Sequence, residues 1–182
     1  MANTSFYSEL ELATLGLRSY GENVLISRFA RLYSPENISI GDNVRIDDFC
    51  ILSGNIVIGS HIHIAAYCAL YGAKGIVLED YTGLSARVTL YSAMDDFSGD
   101  YLVGPIHKED FINVVGGPVI LRPYSQVCAN SIVFPNVTIE EGCVIGAMSL
   151  LKNNAEEWSI YVGIPCKKIK ERRKGMLTFV NK

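Results

Sequence analysis

The sequence predicts an all-β fold in which short strands wind into a parallel coil of hexapeptide repeats. Aliphatic residues recur every six positions, and a small or β-branched residue stands four positions after many of them. A period of six is neither helical nor a plain strand alternation. It indicates a coil with one large and one small inward side chain on each face. The aliphatic positions are Ile26, Leu32, Ile40, Ile46, Leu52, Ile58, Ile64, Leu70, Leu78, Leu84, Leu90, Leu121, Val127, Val133, Ile139, Ile145 and Leu151.

Seventeen such positions, at three faces per coil, predict between five and six stacked coils. A single coil cannot bury its own interior, so the core must form between stacked neighbours. Glycine often follows the aliphatic residue, as in "IGDN", "IGSH" and "IGAM". We expect these glycines to supply turns with positive φ.

The repeat divides the chain into three segments. Residues 1–22 are predicted to form an N-terminal cap, residues 23–154 the β-helix, and residues 155–182 a C-terminal segment. Inside the β-helix the rhythm stops once, which predicts a long loop insertion over residues 91–118. Long ordered insertions usually carry function.

Both ends carry helix signals. Ser8 and Glu11 have the spacing of a capping box and Gly16 follows as a stop, which predicts a short helix over 9–15. Pro165 and Gly175 are placed to begin and end a C-terminal α-helix from about Cys166 to Lys174. That helix would carry most of a local basic charge of +6.

Composition excludes several classes. The formal net charge of −3 gives no reason to expect nucleic acid as a partner, and no apolar run approaches the length of a membrane span. The polar start "MANTSFYSELE" is not a signal peptide. Cys50, Cys68 and Cys143 fall on inward positions of the repeat, which indicates core residues in a reducing, cytoplasmic setting.

Two adjacent aspartates, Asp95 and Asp96, open the insertion. A free aspartate has a pKa of about 3.9 and is a weak base near neutrality. Mutual repulsion in a closed cleft would raise one of the two pKa values, so either residue is a candidate catalytic base or a ligand for an acceptor hydroxyl. The alternative is a turn whose carboxylates cap backbone N–H groups.

The coils with "IGDN", the stretch "FPNVTIEEGCVIGAMSLL" and the closing "GIPCKKIKER" resemble the left-handed β-helix acyltransferases. This is the hexapeptide-repeat family of galactoside, maltose, serine and xenobiotic acetyltransferases, and the resemblance covers residues 23–174. It implies a left-handed parallel β-helix, a homotrimer with active sites between subunits, and acetyl-CoA as acyl donor. The general pattern is most similar to the bacterial O-acetyltransferases of surface and capsular polysaccharides. The predicted function is therefore acetyl transfer to a sugar hydroxyl.

The resemblance also implies a histidine base near the start of the loop, and this chain has none there. His63, on an outward position of "IGSHIH", is therefore the first candidate base, and His107 in the loop is the next. We expect Tyr91, Ser92 and His107 to contact the acceptor.

The same resemblance places coenzyme A along the C-terminal coils. Backbone amides of Gly146 and Ala147 would hold the pantetheine arm, and Ser149 would leave room beside it. The phosphates would meet Lys152, Lys167 and Lys168.

Three alternatives stay open. An N-acyltransferase acting on a nucleotide-linked amino sugar needs a weaker base, which the missing loop histidine mildly favours. A zinc carbonic anhydrase on the same coil needs three histidines, but His61 and His63 lack the spacing of that group. A non-catalytic binding scaffold is the third, and the basic C-terminal segment argues modestly against it.

Overall fold

The computed structural model describes residues 5–180 as a parallel β-solenoid with a triangular cross-section, which confirms the predicted fold class. We call its three sides face A, face B and face C, in chain order around each coil. Face B alone stacks seven strands in parallel, so the solenoid has seven coils and the prediction of five to six was too low. Tyr20, Ala155 and Tyr161 occupy positions in the outer coils where the six-residue count looked for aliphatic residues.

The strands of each face follow one another along the chain. Two long strands, Ile51–Ile58 and Ala69–Leu78, bend from face C into face A. Face A also contains Ser19–Tyr20, Ile38–Ile40, Val119–Leu121 and Val137–Ile139. Face B contains Leu25–Ile26, Val44–Ile46, Ile62–Ile64, Gly83–Leu84, Gln126–Val127, Val144–Ile145 and Ser159–Val162. Face C also contains Arg31–Tyr33, Thr89–Tyr91, Ile132–Val133 and Leu150–Leu151.

The core is the stack of inward aliphatic side chains. Sixteen of the seventeen predicted positions are buried, and Leu32 in the first coil is partly buried. The small inward positions are buried too, including Cys50, Cys68 and Cys143, whose thiols are free. Burial of apolar side chains between coils is the main stabilising contribution in such a stack.

The glycines of the "IGDN" type do not provide positive φ, contrary to our expectation. Gly41 and Gly59 are needed because the next coil passes too close for a side chain: a Cβ at Gly41 would lie 2.7 Å from the backbone of Gly59. Positive φ occurs instead three residues after the inward aliphatic residue, largely at asparagines and aromatic residues such as Asn43, His61 and Tyr67.

The N-terminal helix is shorter than predicted and runs over Glu9–Leu12. The capping box forms, since the Ser8 N–H and hydroxyl both donate to the Glu11 carboxylate. Arg28 in the first coil donates two bonds of 2.6 Å to the same carboxylate. The Arg28 guanidinium, followed by Ser8, lowers the pKa of Glu11 to about 2. This pair attaches the cap to the solenoid.

The predicted basic helix from Cys166 to Lys174 is wrong. Residues Lys167–Glu171 form a strand that pairs antiparallel with Ser159–Val162 and covers the open edge of the last coil. Gly163, at φ +104°, turns the chain back. An unpaired sheet edge favours such an added strand over a helix. A short helix does end the chain, but it lies at Leu177–Val180.

The insertion leaves the solenoid at the corner between face C and face A. Its stem is a hairpin in which Ala93–Asp95 pairs antiparallel with Val114–Gly116. A 3-10 turn over Glu109–Phe111 lies in the loop, and another over Pro35–Asn37 precedes face A of the second coil. The loop exposes several large apolar side chains, among them Phe97 and Ile106. Within residues 5–180, no helix is long and apolar enough to cross a membrane.

Candidate active site

A strip of small side chains runs along face B at its corner with face C. On four successive coils, the two residues after the last inward aliphatic residue are small, and backbone bonds of 2.7 to 2.9 Å to the next coil keep them in register. Strands in a sheet lie about 4.8 Å apart, so the strip is roughly 15 Å long. We call it the small-residue strip: Ala65, Ala66, Ser85, Ala86, Cys128, Ala129, Gly146 and Ala147.

One column of this strip presents free backbone donors. The N–H groups of Ala66, Ala86, Ala129 and Ala147 make no hydrogen bond within residues 5–180. Such a row can bind the amide carbonyls of an extended pantetheine arm, and one of its members can stabilise an oxyanion. The Ala147 N–H, which we expected to bind the pantetheine arm, is therefore available for that contact. Gly146 differs, because its N–H already donates to the Tyr161 carbonyl at 2.7 Å.

His63 lies near the N-terminal end of the strip and is held by a carboxylate. Its Nε2 is 2.8 Å from Oδ2 of Asp47, whose other oxygen accepts a bond from Arg45. Partial burial opposes the charged form of Asp47, but the bonds from His63 and Arg45 outweigh it and lower the pKa of Asp47. An ionised Asp47 can only accept, so the Nε2–H of His63 donates to it and the basic lone pair lies on Nδ1.

Ser85 is a further polar side chain in the strip, and the sequence analysis did not single it out. It stands exposed in the strip, one coil above Ala65 and one below Cys128. The Cys68 thiol donates to its carbonyl at 3.1 Å, which fixes the local backbone. The sequence could have singled it out, because Ser85 supplies the only hydroxyl among the four residues at this position of the strip, the others being Ala65, Cys128 and Gly146.

The two aspartates of the insertion have different environments. The Asp96 carboxylate accepts bonds of 2.8 Å from the Ser98 N–H and from the Asn113 side chain. The bonds from Ser98, and then that from Asn113, lower the pKa of Asp96. Asp96 is therefore a turn cap and a poor base, as the alternative supposed. The half-buried Asp95 carboxylate has no hydrogen bond or ion pair within residues 5–180.

The predicted acceptor contacts fare differently. Ser92 is fully buried, donates to the Tyr71 carbonyl at 2.9 Å and accepts from the Lys74 N–H at 2.8 Å, so it cannot reach a substrate. Tyr91 stays accessible beside the hairpin and stacks on Tyr71 at 5.2 Å. His107 lies half-buried in the distal part of the loop.

A pocket of about 400 Å³ lies at the C-terminal end of the strip. Ser149 lines it, but its hydroxyl bonds to the Ala147 carbonyl and the Gly163 N–H, so its role there is structural. Of the predicted phosphate ligands, Lys152 and Lys167 are exposed. Lys168 pairs with Glu156 and Glu171, which raise its pKa and compete with a phosphate. The remaining lining residues are Asn130, Ile132, Met148, Leu150 and Ile164.

A groove with free N–H groups suits a thin, flexible acyl carrier lying along the coils. No family model matches the sequence. The chain is 41% identical over 176 residues to dTDP-4-amino-4,6-dideoxy-D-glucose acyltransferase of Escherichia coli, covering 95% of this chain and 92% of that protein. It is 51% identical to AntD, an N-acyltransferase from Bacillus cereus solved with dTDP and 3-hydroxybutyryl-CoA, with a TM-score of 0.95 over 98% of this chain and 95% of AntD.

A more distant structure shares the fold alone. It is a hexapeptide-repeat acetyltransferase from Vibrio cholerae in complex with acetyl coenzyme A, 14% identical, with a TM-score of 0.64 over 92% of this chain and 79% of that one. AntD has also been solved as variants at one serine and at one aspartate ten residues later, in complexes with coenzyme A and either dTDP-4-amino-4,6-dideoxyglucose or dTDP.

The fold and the close relatives define this protein as an acyltransferase that uses an acyl-CoA as its acyl donor. The chain belongs to the hexapeptide-repeat acyltransferase family. The resemblance of its coils to that family is thereby confirmed.

If coenzyme A lies along the small-residue strip, a large side chain placed in the strip should weaken its binding. Ala129→Leu places a bulky side chain between the free N–H groups and should weaken coenzyme A binding at least tenfold, measured by calorimetry. Thr138→Leu, on an outward position of face A, is the matched control and should bind normally. Equal affinity in both variants, with unchanged melting temperatures, would show that coenzyme A lies elsewhere.

Proposed function

We propose that this protein transfers an acyl group from acyl-CoA to the 4-amino group of a dTDP-4-amino-4,6-dideoxy sugar. Its relatives at 41% to 51% identity over nearly the whole chain support this, because they are named for that acceptor or were solved with dTDP and acyl-CoA. They favour the amino-sugar alternative over the acetylation of a sugar hydroxyl that the sequence led us to expect.

The observation that carries the proposal is a pair of residues. AntD was altered at a serine and at an aspartate ten positions apart. In this sequence Ser85 and Asp95 have the same identities and spacing, and no other serine is followed ten residues later by an aspartate. Asp95 was predicted as a candidate from its place in the loop, and its carboxylate has no hydrogen-bond or ion-pair partner within residues 5–180. We assign it to the acceptor amine.

The chemistry fits an amine better than a hydroxyl. The amine nitrogen attacks the thioester carbonyl, the C–N bond forms, and the C–S bond breaks to release coenzyme A. Ser85 Oγ accepts a bond from an N–H of the neutral amine, and the Asp95 carboxylate pairs with the positive charge that develops on the nitrogen as it attacks, so both groups hold the nitrogen in place. The nitrogen then loses a proton to a base. A free N–H of the small-residue strip meets the oxyanion.

His63 is the proton acceptor in this proposal. It pairs in register with Gly83, two residues before Ser85, so its Cα lies roughly 8 Å from that of Ser85 by strand rise and spacing. Asp47 keeps the basic lone pair on Nδ1, which has no partner within residues 5–180.

The site is assembled between copies of the chain in this proposal. Between Ser85 and Asp95 the chain turns the corner and crosses face C through Thr89–Tyr91. Four or five residues of extended strand span roughly 15 Å, too far for both side chains to hold one nitrogen. Asp95 would therefore meet Ser85 of a neighbouring copy, as in a homotrimer with three identical clefts.

A comparison of two acceptors tests the reaction. With dTDP-4-amino-4,6-dideoxyglucose and acyl-CoA we expect an amide product by mass spectrometry, and none with the 4-hydroxy analogue. Asp95→Asn removes a charge-assisted bond to the amine and should lower kcat/KM about ten- to a hundredfold. Asp100→Asn, further along the loop, is the control. Acylation of the hydroxyl analogue alone would contradict the proposal.

The role of His63 is tested separately. His63→Gln keeps a donor for Asp47 but removes the basic nitrogen, so kcat should fall about a hundredfold while the acceptor KM stays unchanged. His61→Gln provides the control on the same coil. An unchanged kcat in His63→Gln would contradict this role, and the departing thiolate would then be the proton acceptor.

A further inference from the structure

The corner between face B and face C carries a ladder of large side chains that its own chain leaves open. Phe29 and Phe49 have ring centroids 5.7 Å apart, and Phe49 stacks on Tyr67 at 4.9 Å. The Arg87 guanidinium lies 5.3 Å from the centre of the Tyr67 ring. Each of the three rings is about half exposed, at 55%, 48% and 52%. We call these four residues the open ladder.

A second ladder of stacked rings is covered at one end by the chain itself. At the corner between faces A and B, His61, Tyr81, Tyr124 and Trp158 stack in turn. The C-terminal segment covers its end: Lys174 lies over the Trp158 ring, which is 4% exposed, and Arg172 donates to the Tyr124 carbonyl. The open ladder has no such cover within residues 5–180.

The backbone of the open ladder does not favour large side chains. Phe49, Tyr67 and Arg87 have φ of 61°, 64° and 61°, the left-handed region that Gly and Asn adopt most easily. Stacking between coils offsets part of that cost. The covered ladder has the same backbone conformation, for example at Tyr81 and Tyr124, so the two ladders differ in their cover and not in their backbone. The half-exposed faces of Phe29, Phe49 and Tyr67 leave room for a flat ligand to complete the stack.

The charges beside the ladder favour an anion. Within residues 5–180 the guanidinium of Arg31 has no hydrogen bond or ion pair, and Arg87 has only its contact with Tyr67. The carboxylates nearby are occupied: Glu11 by Arg28, Asp47 by Arg45 and His63, and Asp48 by the Ser27 hydroxyl.

A larger cavity of about 660 Å³ is less suitable for an anion. It lies at the N-terminal end of the solenoid, and both of its charged lining residues, Glu9 and Glu22, are acidic. Their charge would repel a diphosphate.

We propose that the open ladder and its arginines bind the nucleoside diphosphate part of the acceptor. The pyrimidine base enters a cavity of about 300 Å³ lined by Phe29, Phe49 and Arg31, stacks on the rings, and accepts a bond from Arg31 at a carbonyl oxygen. Arg87 pairs with the diphosphate. This rests on the proposed function, which supplies the dTDP group.

The open ladder lies at a suitable distance from the proposed reaction centre at Ser85. Arg87 is two residues beyond Ser85, and Phe49 lies two coils, or about 10 Å, further toward the N-terminal end. A diphosphate and a hexose fit between the ring and the serine. The acceptor then approaches from the N-terminal coils, and acyl-CoA occupies the strip toward the C-terminal coils.

Binding of dTDP itself, measured by calorimetry on the intact protein, tests the inference. Phe49→Ala should weaken dTDP binding about five- to a hundredfold, the range found for removal of a base-stacking ring. Arg87→Ala removes a charge-assisted contact with the diphosphate and should weaken dTDP binding about ten- to a hundredfold. Phe49→Tyr should restore most of the affinity. The affinity for coenzyme A should stay within twofold of the original protein.

Tyr81→Ala is the matched control, because Tyr81 occupies the same turn position, at φ 61°, in the covered ladder. It should lose stability but bind dTDP normally. Unchanged dTDP affinity in folded Phe49→Ala and Arg87→Ala would overturn the inference. So would a change in the oligomeric state of these variants without a change in dTDP affinity, because the ladder would then be a contact between subunits. If the original protein binds dTDP through the ladder but acylates no amino sugar, the proposed function fails and this site stands.

Discussion

The vertical stacking of inward aliphatic side chains, one on another at each coil, is the constraint on which the rest of this structure depends. Leu52, Leu70 and Leu90 lie directly above one another in parallel register, and the other faces repeat the arrangement. Because the inward residues are locked in columns, the outward residues are locked in columns too. A functional surface on this fold is therefore a set of columns running parallel to the solenoid axis.

Two such columns of small residues and one column of corner residues lie side by side and account for the proposed site. Small side chains leave a groove with free N–H groups at Ala86, Ala129 and Ala147. The adjoining corner column supplies Phe49 and Arg87 toward the N-terminal end. In our proposal the acyl donor and the acceptor therefore lie on one straight line, with Ser85 between them. The hairpin that carries Asp95 is attached to a different corner, which makes a second copy of the chain necessary in our proposal.

The sequence predicted the solenoid because its six-residue period has a direct structural meaning. It singled out Asp95 and Asp96 as candidates because the long interruption of that period is visible. It could not separate Asp95 from Asp96, since the bonds from Ser98 and Asn113 depend on how the loop folds. The strand Lys167–Glu171 was read as a helix because local signals cannot reveal an unpaired sheet edge elsewhere in the chain. The place of Ser85 in the small-residue strip and the burial of Ser92 likewise depend on contacts with neighbouring coils, which local sequence does not reveal.

Mixing two impaired variants tests the central claim, a shared site for amine acylation, most directly. Ser85→Ala and Asp95→Asn chains, unfolded and refolded together, would form mixed assemblies in which about one quarter of the clefts pair an intact serine with an intact aspartate from the neighbouring copy. We predict recovery of about a quarter of the original amine acylation. Activity no higher than that of either variant alone would contradict a site built from two copies.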